Sequence, residues 1–269
     1  MRRTLVLLLS VAALVVALIA PAGAITDGEL DGDGHPHVAL MVATTADGAP
    51  LWRCSGTFLS PKVYVTAGHC VEPPAARAEI WLASDVPSGV PANGYPYTGD
   101  VSGDTYLHPE YWAPFPWFMR DVGVVVLDDG DSVDLDVYGE LPEIDQFDAW
   151  KGNVKKGVTF TAVGYGLQKA FPDAAAWKDV AERVRMVSYP KLIQINVKGS
   201  IGDFSMLLSN NAHTGGTCFG DSGGPNFVGD TNVVGAVTSF GKNPTCAGQG
   251  GVLRLDREWI NTWVADFLD

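Results

Sequence analysis

Positive charge is scarce in this chain. Its 269 residues include 18 lysines and arginines against 31 aspartates and glutamates. Two of the basic residues, Arg2 and Arg3, stand at the extreme start, so from residue 25 onward the formal charge is near −15. That balance argues against nucleic acid and anionic membrane surfaces as partners. Cysteine is also rare. There are four, with no Cys-x-x-Cys and no spacing that resembles a zinc pattern, so a thiolate metal site is not expected. Only one long apolar run occurs, and no second stretch of spanning length follows it. Tandem repeats, low-complexity tracts and charge blocks are missing, which excludes a repeat array.

What is present begins with Met1-Arg2-Arg3-Thr4, then an apolar run from Leu5 to Ala20, then Pro21 and Ala22-Gly23-Ala24. A basic start, an apolar centre and a small-x-small site form a secretory signal peptide, residues 1–24. The polar Asp27-Gly28-Glu29 beyond it favours cleavage over a retained anchor. The expected product is a secreted protein of 245 residues, with no membrane association after cleavage. Four cysteines in an exported chain predict two disulfides, with three possible pairings. Acidity fits solubility outside the cell; calcium binding is a weaker reading, and no site is identified.

Short runs rich in β-branched and aromatic residues recur along the chain: 38–43, 56–60, 63–67, 122–127, 158–163, 184–189, 192–197 and 233–237. Gly, Pro, Asp and Asn clusters separate them, a rhythm that predicts an all-β barrel or sandwich protein. Residues 256–268 differ, because Trp259, Ile260, Trp263, Val264, Phe267 and Leu268 recur at helical spacing and predict a terminal helix with one packed face. Residues 84–118 and 166–181 read as long surface loops. The acidic stretch 128–138 reads as a linker, dividing the chain into units 25–135 and 136–269.

The chemistry is concentrated around Gly220-Asp221-Ser222-Gly223-Gly224-Pro225. Flanking glycines suit an exposed serine nucleophile, and the N–H groups of Gly220 and Ser222 suit an oxyanion hole. A serine hydroxyl needs a base, and the base needs an orienting group. His69 in Thr66-Ala67-Gly68-His69-Cys70 is the candidate base. Cys54, sixteen residues before Cys70, is placed to pair with it, contributing about 3 kcal/mol by chain entropy. Cys218 and Cys246 are expected to do likewise for the nucleophile's loop. Asp121, directly before the apolar run Val122 to Leu127, is the candidate orienter; the structural alternative is a pair with Arg120. The other histidines, His35, His37, His108 and His213, read as solvated loop residues.

These three segments, in the order His, Asp, Ser, resemble the chymotrypsin/trypsin-like serine proteases. His108-Pro109-Glu110-Tyr111, Gly164-Tyr165-Gly166 and Val237-Thr238-Ser239-Phe240-Gly241 extend the likeness over nearly the whole mature chain. The resemblance implies two packed six-stranded Greek-key β-barrels with a C-terminal α-helix. It also implies a secreted endopeptidase acting on polypeptide through an acyl-enzyme, with no cofactor and no metal. Its residues would be His69, Asp121 and Ser222 as triad, with Ser239 supporting Asp121 and Ser239-Phe240-Gly241 as the edge that pairs with substrate. Gly216, Gly241 and Gly251 would line an uncharged primary pocket for large apolar side chains, although the neighbouring Lys242 offers acidic side chains as the rival preference. After signal cleavage, a free Ile25 would pair with Asp221. The Ile25-Thr26-Asp27-Gly28 start departs from the usual Ile-Val-Gly-Gly. Few disulfides and direct activation point to a bacterial exporter, expected to be a monomer. Two other readings are kept, a catalytically silent secreted binding protein and an esterase using the same triad.

Overall fold

The computed structural model describes residues 25–87, 94–113, 119–151, 158–169, 181–196 and 202–268. The expected signal peptide therefore lies outside the described residues, as does most of the loop 166–181. Fourteen strands are found among the described residues: β1 (Glu29–Leu30), β2 (Val38–Thr44), β3 (Pro50–Phe58), β4 (Val63–Thr66), β5 (Arg77–Trp81), β6 (Val101–Leu107), β7 (Gly123–Leu127), β8 (Phe160–Gly164), β9 (Met186–Ser188), β10 (Leu192–Ile195), β11 (Ser205–Asn210), β12 (Pro225–Val228), β13 (Val234–Gly241) and β14 (Gly248–Arg254). One helix, α1 (Glu258–Ala265), follows them. No helix among the described residues is long and apolar enough to cross a membrane.

Strands β2 to β7 form a closed antiparallel barrel in the order β2-β3-β4-β7-β6-β5. Alternation explains why its strands are apolar on both faces. On β4, Tyr64 points into the barrel core while Val63 and Val65 join the cluster between the two halves; on β7, Val125 and Leu127 point inward and Val124 joins that cluster. Gly56 is required inside, because a Cβ there would meet the Val65 carbonyl oxygen and the Tyr64 ring.

The second half is an eight-stranded sheet, β1-β9-β8-β12-β13-β14-β11-β10, where a closed six-stranded barrel was expected. The count has a simple cause. β9 and β10 are the two parts of one bent segment, interrupted at Tyr189-Pro190, where proline has no N–H for the ladder. The first part pairs with β8 and the second with β11. Backbone bonds from Phe160 N to Pro190 O (2.8 Å) and from Leu192 N to Val158 O (2.9 Å) bridge the bend. The two-residue β1 adds the eighth strand at the edge.

Between the halves, Val38, Val65, Val124, Val163, Phe227, Val237 and Leu253 pack together, and α1 adds Ile260 and Val264. The predicted helical stripe is therefore core, although α1 ends earlier than expected and Leu268 is exposed. The expected loop 84–118 is not all loop, since it contains β6, whose Ser-Gly-Asp-Thr centre hid the strand.

Candidate active site

His69, the candidate base, sits on a single 3₁₀ turn, Gly68–Cys70, that follows β4. Gly68 permits this turn because a Cβ there would stand 3.0 Å from Val122 N and 2.9 Å from the Tyr111 ring. Asp121, fully buried, reaches the turn from the start of β7. One carboxylate oxygen accepts the His69 backbone N–H (2.8 Å), and the other accepts the ring Nδ1–H (2.9 Å). Ser239, on β13, donates its hydroxyl to the same carboxylate. Burial pulls the His69 imidazole pKa down, but the charge and hydrogen bond of Asp121, with Glu72 further off, lift it above its ordinary value. Arg120 does not take Asp121 as partner. It pairs with Glu110 at 2.7 Å and lies over the Trp259 ring.

Ser222 lies on a turn between β11 and β12 that is anchored from the first barrel. Ser55, on β3, donates its N–H to Ser222 O (2.8 Å) and its hydroxyl to Gly220 O (2.9 Å), while its Oγ accepts from Tyr165 N (3.0 Å). Gly223 has to be glycine, since its φ is +78° and a Cβ would collide with Thr66 Oγ1, Ser55 O and Ala67 N. Gly220 has φ +95°. The N–H groups of Gly220 and Ser222 donate to no protein acceptor among the described residues. Both disulfides are formed, Cys54–Cys70 and Cys218–Cys246, with Cα separations of 6.2 and 5.4 Å. They tie the base's turn to β3 and the nucleophile's turn to the 246 loop. Among the described residues, Cys54, His69 and Cys70 form the one cluster of metal-ligand type, and its sulfurs are joined in a disulfide.

Asp221 is also fully buried. It accepts the N–H groups of Gly166 (2.7 Å) and Cys218 (2.9 Å). Burial pushes its pKa up to about 7, against those two bonds and the charge of Arg53. Ile25 is buried against Met186 with φ +52°, and Thr26 pairs with Gly216. The Thr26 hydroxyl faces Asn210 Oδ1 (2.8 Å) and Gly216 O (3.1 Å), and Asn210 Nδ2 donates to Thr217 O (2.8 Å).

Of the expected pocket glycines, Gly216 has the Asn210 side chain where its Cβ would be, and Gly251 has the Phe240 ring there. Gly241 is open, with Asn243 O at 3.5 Å its nearest neighbour. At Gly251 an aromatic face thus stands where bare glycine was expected, and Lys242 is exposed. Ser55, Asn210 and the Thr26 hydroxyl carry no signal in the sequence, because single polar residues reveal nothing until the fold gives them partners. Two histidines read as solvated are buried. His37 is 2% exposed, and His108 is 6% exposed, its ring packed on Trp259 and Trp263. His108 accepts Glu110 N–H at Nδ1 (3.1 Å) and donates from Nε2 to Trp259 O (3.3 Å), so it fastens α1 instead of meeting solvent.

Comparison with solved structures finds a likeness to HL collagenase at TM-score 0.67 and 20% identity, covering 91% of this chain and 99% of that one. The family model described as trypsin matches residues 31–260. That match runs through all three motifs, so the chain belongs to the trypsin family of serine endopeptidases.

Proposed function

We propose that the protein is a secreted endopeptidase that cleaves peptide bonds through an acyl-enzyme on Ser222. His69 takes the serine proton during attack and returns it to the leaving amine; in the second half it activates water in the same way. Asp121 keeps the Nδ1–H tautomer and stabilises the imidazolium, and Ser239 completes its hydrogen bonding. The N–H groups of Gly220 and Ser222 receive the developing oxyanion. The observation that carries this reading is the double grip of Asp121 on His69, through backbone N–H and ring Nδ1. It fixes the tautomer in which Nδ1 carries the proton, the one whose Nε2 can accept from a hydroxyl. Nothing in the sequence of steps calls for a cofactor or a metal.

Secretion rests on the signal-like residues 1–24 and two disulfides. Cleavage before Ile25 would free its ammonium for Asp221. Two features favour that site. A β-branched residue at φ +52° is strained, and an N-terminal residue has no φ, so cutting there removes the strain. Asp221 has no cation within 4 Å among the described residues. For the primary pocket we favour large apolar side chains, since Gly216, Gly241 and the Phe240 ring over Gly251 present no charge. A faster rate on Glu than on Phe substrates would instead implicate Lys242.

The deciding experiment is fluorophosphonate labelling of secreted protein beside Ser222→Ala. Labelling of the parent alone is expected, with turnover on peptide substrates lost by on the order of 10⁴–10⁶ in the variant. An unlabelled, folded parent with Ile25 at its terminus would favour a silent binding protein. Labelling with ester but no peptide turnover would favour an esterase.

A further inference from the structure

Seven arginines fall within the described residues, and five of them, Arg77, Arg120, Arg185, Arg254 and Arg257, have a carboxylate within 4 Å. The two without one among the described residues, Arg53 and Arg183, are neighbours. Both lie on Tyr95: the Arg183 guanidinium carbon is 4.3 Å from the ring centroid, and Arg53 hydrogen-bonds the phenol. Arg183 is 9% exposed; its Nε donates to Val86 O (3.1 Å), and its Nη2 is buried without a hydrogen-bond partner. In a chain this acidic, two adjacent guanidiniums with no carboxylate partner among the described residues form a site open to an anion.

Arg53 extends that charge to the reacting centre. It precedes Cys54 on β3, and a Cβ built on Gly220 would stand 3.3 Å from its Nη2 and 3.4 Å from its Nε. The buried Asp221 carboxylate is not the missing anion, since it lies beyond 4 Å and its oxygens are taken by Gly166 and Cys218. Position relative to the scissile bond follows from what flanks Ser222. Ser239 on β13 bonds Asp121, which holds the His69 turn on one side of the site, and Ser55 on β3 grips the Ser222 turn on the other. With the acyl part of a substrate along Ser239–Gly241, the leaving part must cross Gly220 toward β3.

We propose that Arg53, backed by Tyr95 and Arg183, is a subsite for a carboxylate side chain within the first two residues after the cleaved bond. The inference rests on the triad reading above. It makes Arg53 a determinant of substrate choice and gives it no part in the proton transfers.

The test uses mature enzyme and peptides identical up to the cleaved bond, with Glu, Gln or Lys at the first or second position after it. Glu is expected to exceed Gln in kcat/KM by about 3–10-fold at low salt at one of these positions, with Lys below both. The Glu preference should shrink as salt is raised. Arg53→Gln should bring the Glu:Gln ratio to about 1, and Arg53→Lys should keep part of it. A parent ratio of 1 at both positions, or an unchanged ratio in Arg53→Gln, overturns the proposal. So does an equal loss on all peptides, which would mean that Arg53 only supports Gly220. Should Arg53→Gln not fold, the salt dependence and the Lys penalty in the parent decide. Turnover without discrimination sinks this subsite alone; no turnover together with no fluorophosphonate labelling sinks the triad reading with it.

Discussion

Asp121 and Asp221 are both fully buried, and both serve turns of the same site, yet their surroundings differ in one respect. Asp121 meets a backbone N–H, an imidazole that can take a positive charge, and a serine hydroxyl. Asp221 meets two backbone N–H groups and, among the described residues, no cation within 4 Å. A buried carboxylate is tolerated when its charge is balanced, and otherwise it takes up a proton. On the proposed reading, the first aspartate is therefore already balanced by its partners, while the second would gain its partner only on cleavage before Ile25. The lesson is that burial alone does not identify a catalytic acid. What the carboxylate faces decides whether it orients a base or waits for a charge.

The largest effect is expected at Asp121. Asp121→Asn preserves shape but presents an N–H₂ toward His69, favouring the wrong tautomer. A loss of about 10⁴ in kcat is expected, by analogy with the triad template, with folding intact. The pH profile gives a second readout. Burial lowers the His69 pKa and Asp121 more than offsets that, so without the carboxylate's charge the acid limb of kcat/KM should move to lower pH. An unshifted limb would mean that Asp121 does not set the charge of His69.

At Asp221 the expected effect is on stability. In the chain that has not been cut before Ile25, the Asp221 pKa is raised from 3.8 to about 7. A raised carboxyl pKa means the folded state binds the proton more tightly, so stability falls as pH rises from about 4 to 7 and is flat above. Full ionisation costs on the order of 4 kcal/mol. Asp221→Asn should erase this fall, so uncut variant and parent should diverge in Tm between pH 4 and 7, the variant being more stable at pH 7. In protein beginning at Ile25 the order should reverse, because removing one partner of a buried pair costs about 3–5 kcal/mol. The same Tm order in both forms would show that Ile25 is not the partner.

Legibility in the sequence followed the same division. The candidate triad was proposed from the sequence because each member sits in a run of special residues: Ala67-Gly68 before His69, Val122 to Leu127 after Asp121, glycines around Ser222. Strands with apolar alternation were found, whereas β1, β5, β6, β11, β12 and β14 were not, because charge, glycine or asparagine lies within or at the end of each. β14 opens Gly-Gln-Gly-Gly and becomes a strand through pairing with β11 and β13 on either side. The second barrel's open count was hidden for a similar reason, since one proline splits a segment that reads as continuous. Ser55 and Asn210 act through partners more than a hundred residues away or through backbone carbonyls, and no local pattern encodes such contacts.

The smallest effect separates the two ways the N-terminal segment is attached. If the Ile25 ammonium joins Asp221, one attachment is electrostatic and appears on cleavage. The other is already present: the Thr26 hydroxyl at Asn210 Oδ1 and Gly216 O, and Asn210 Nδ2 on Thr217 O. Thr26→Val restores the family's usual second residue and nearly the same volume, but leaves two buried acceptors without their donor. The expected cost is about 1–1.5 kcal/mol, or about 2–5 °C in Tm. With Gly216 at the pocket floor, as the proposed function has it, KM should rise by more than kcat falls. Asn210→Ala should cost a similar amount, and the double variant less than the sum, since both remove the same bond. Additive losses would mean that Thr26 and Asn210 act separately, with the Ile25–Asp221 pair left to position the floor unaided.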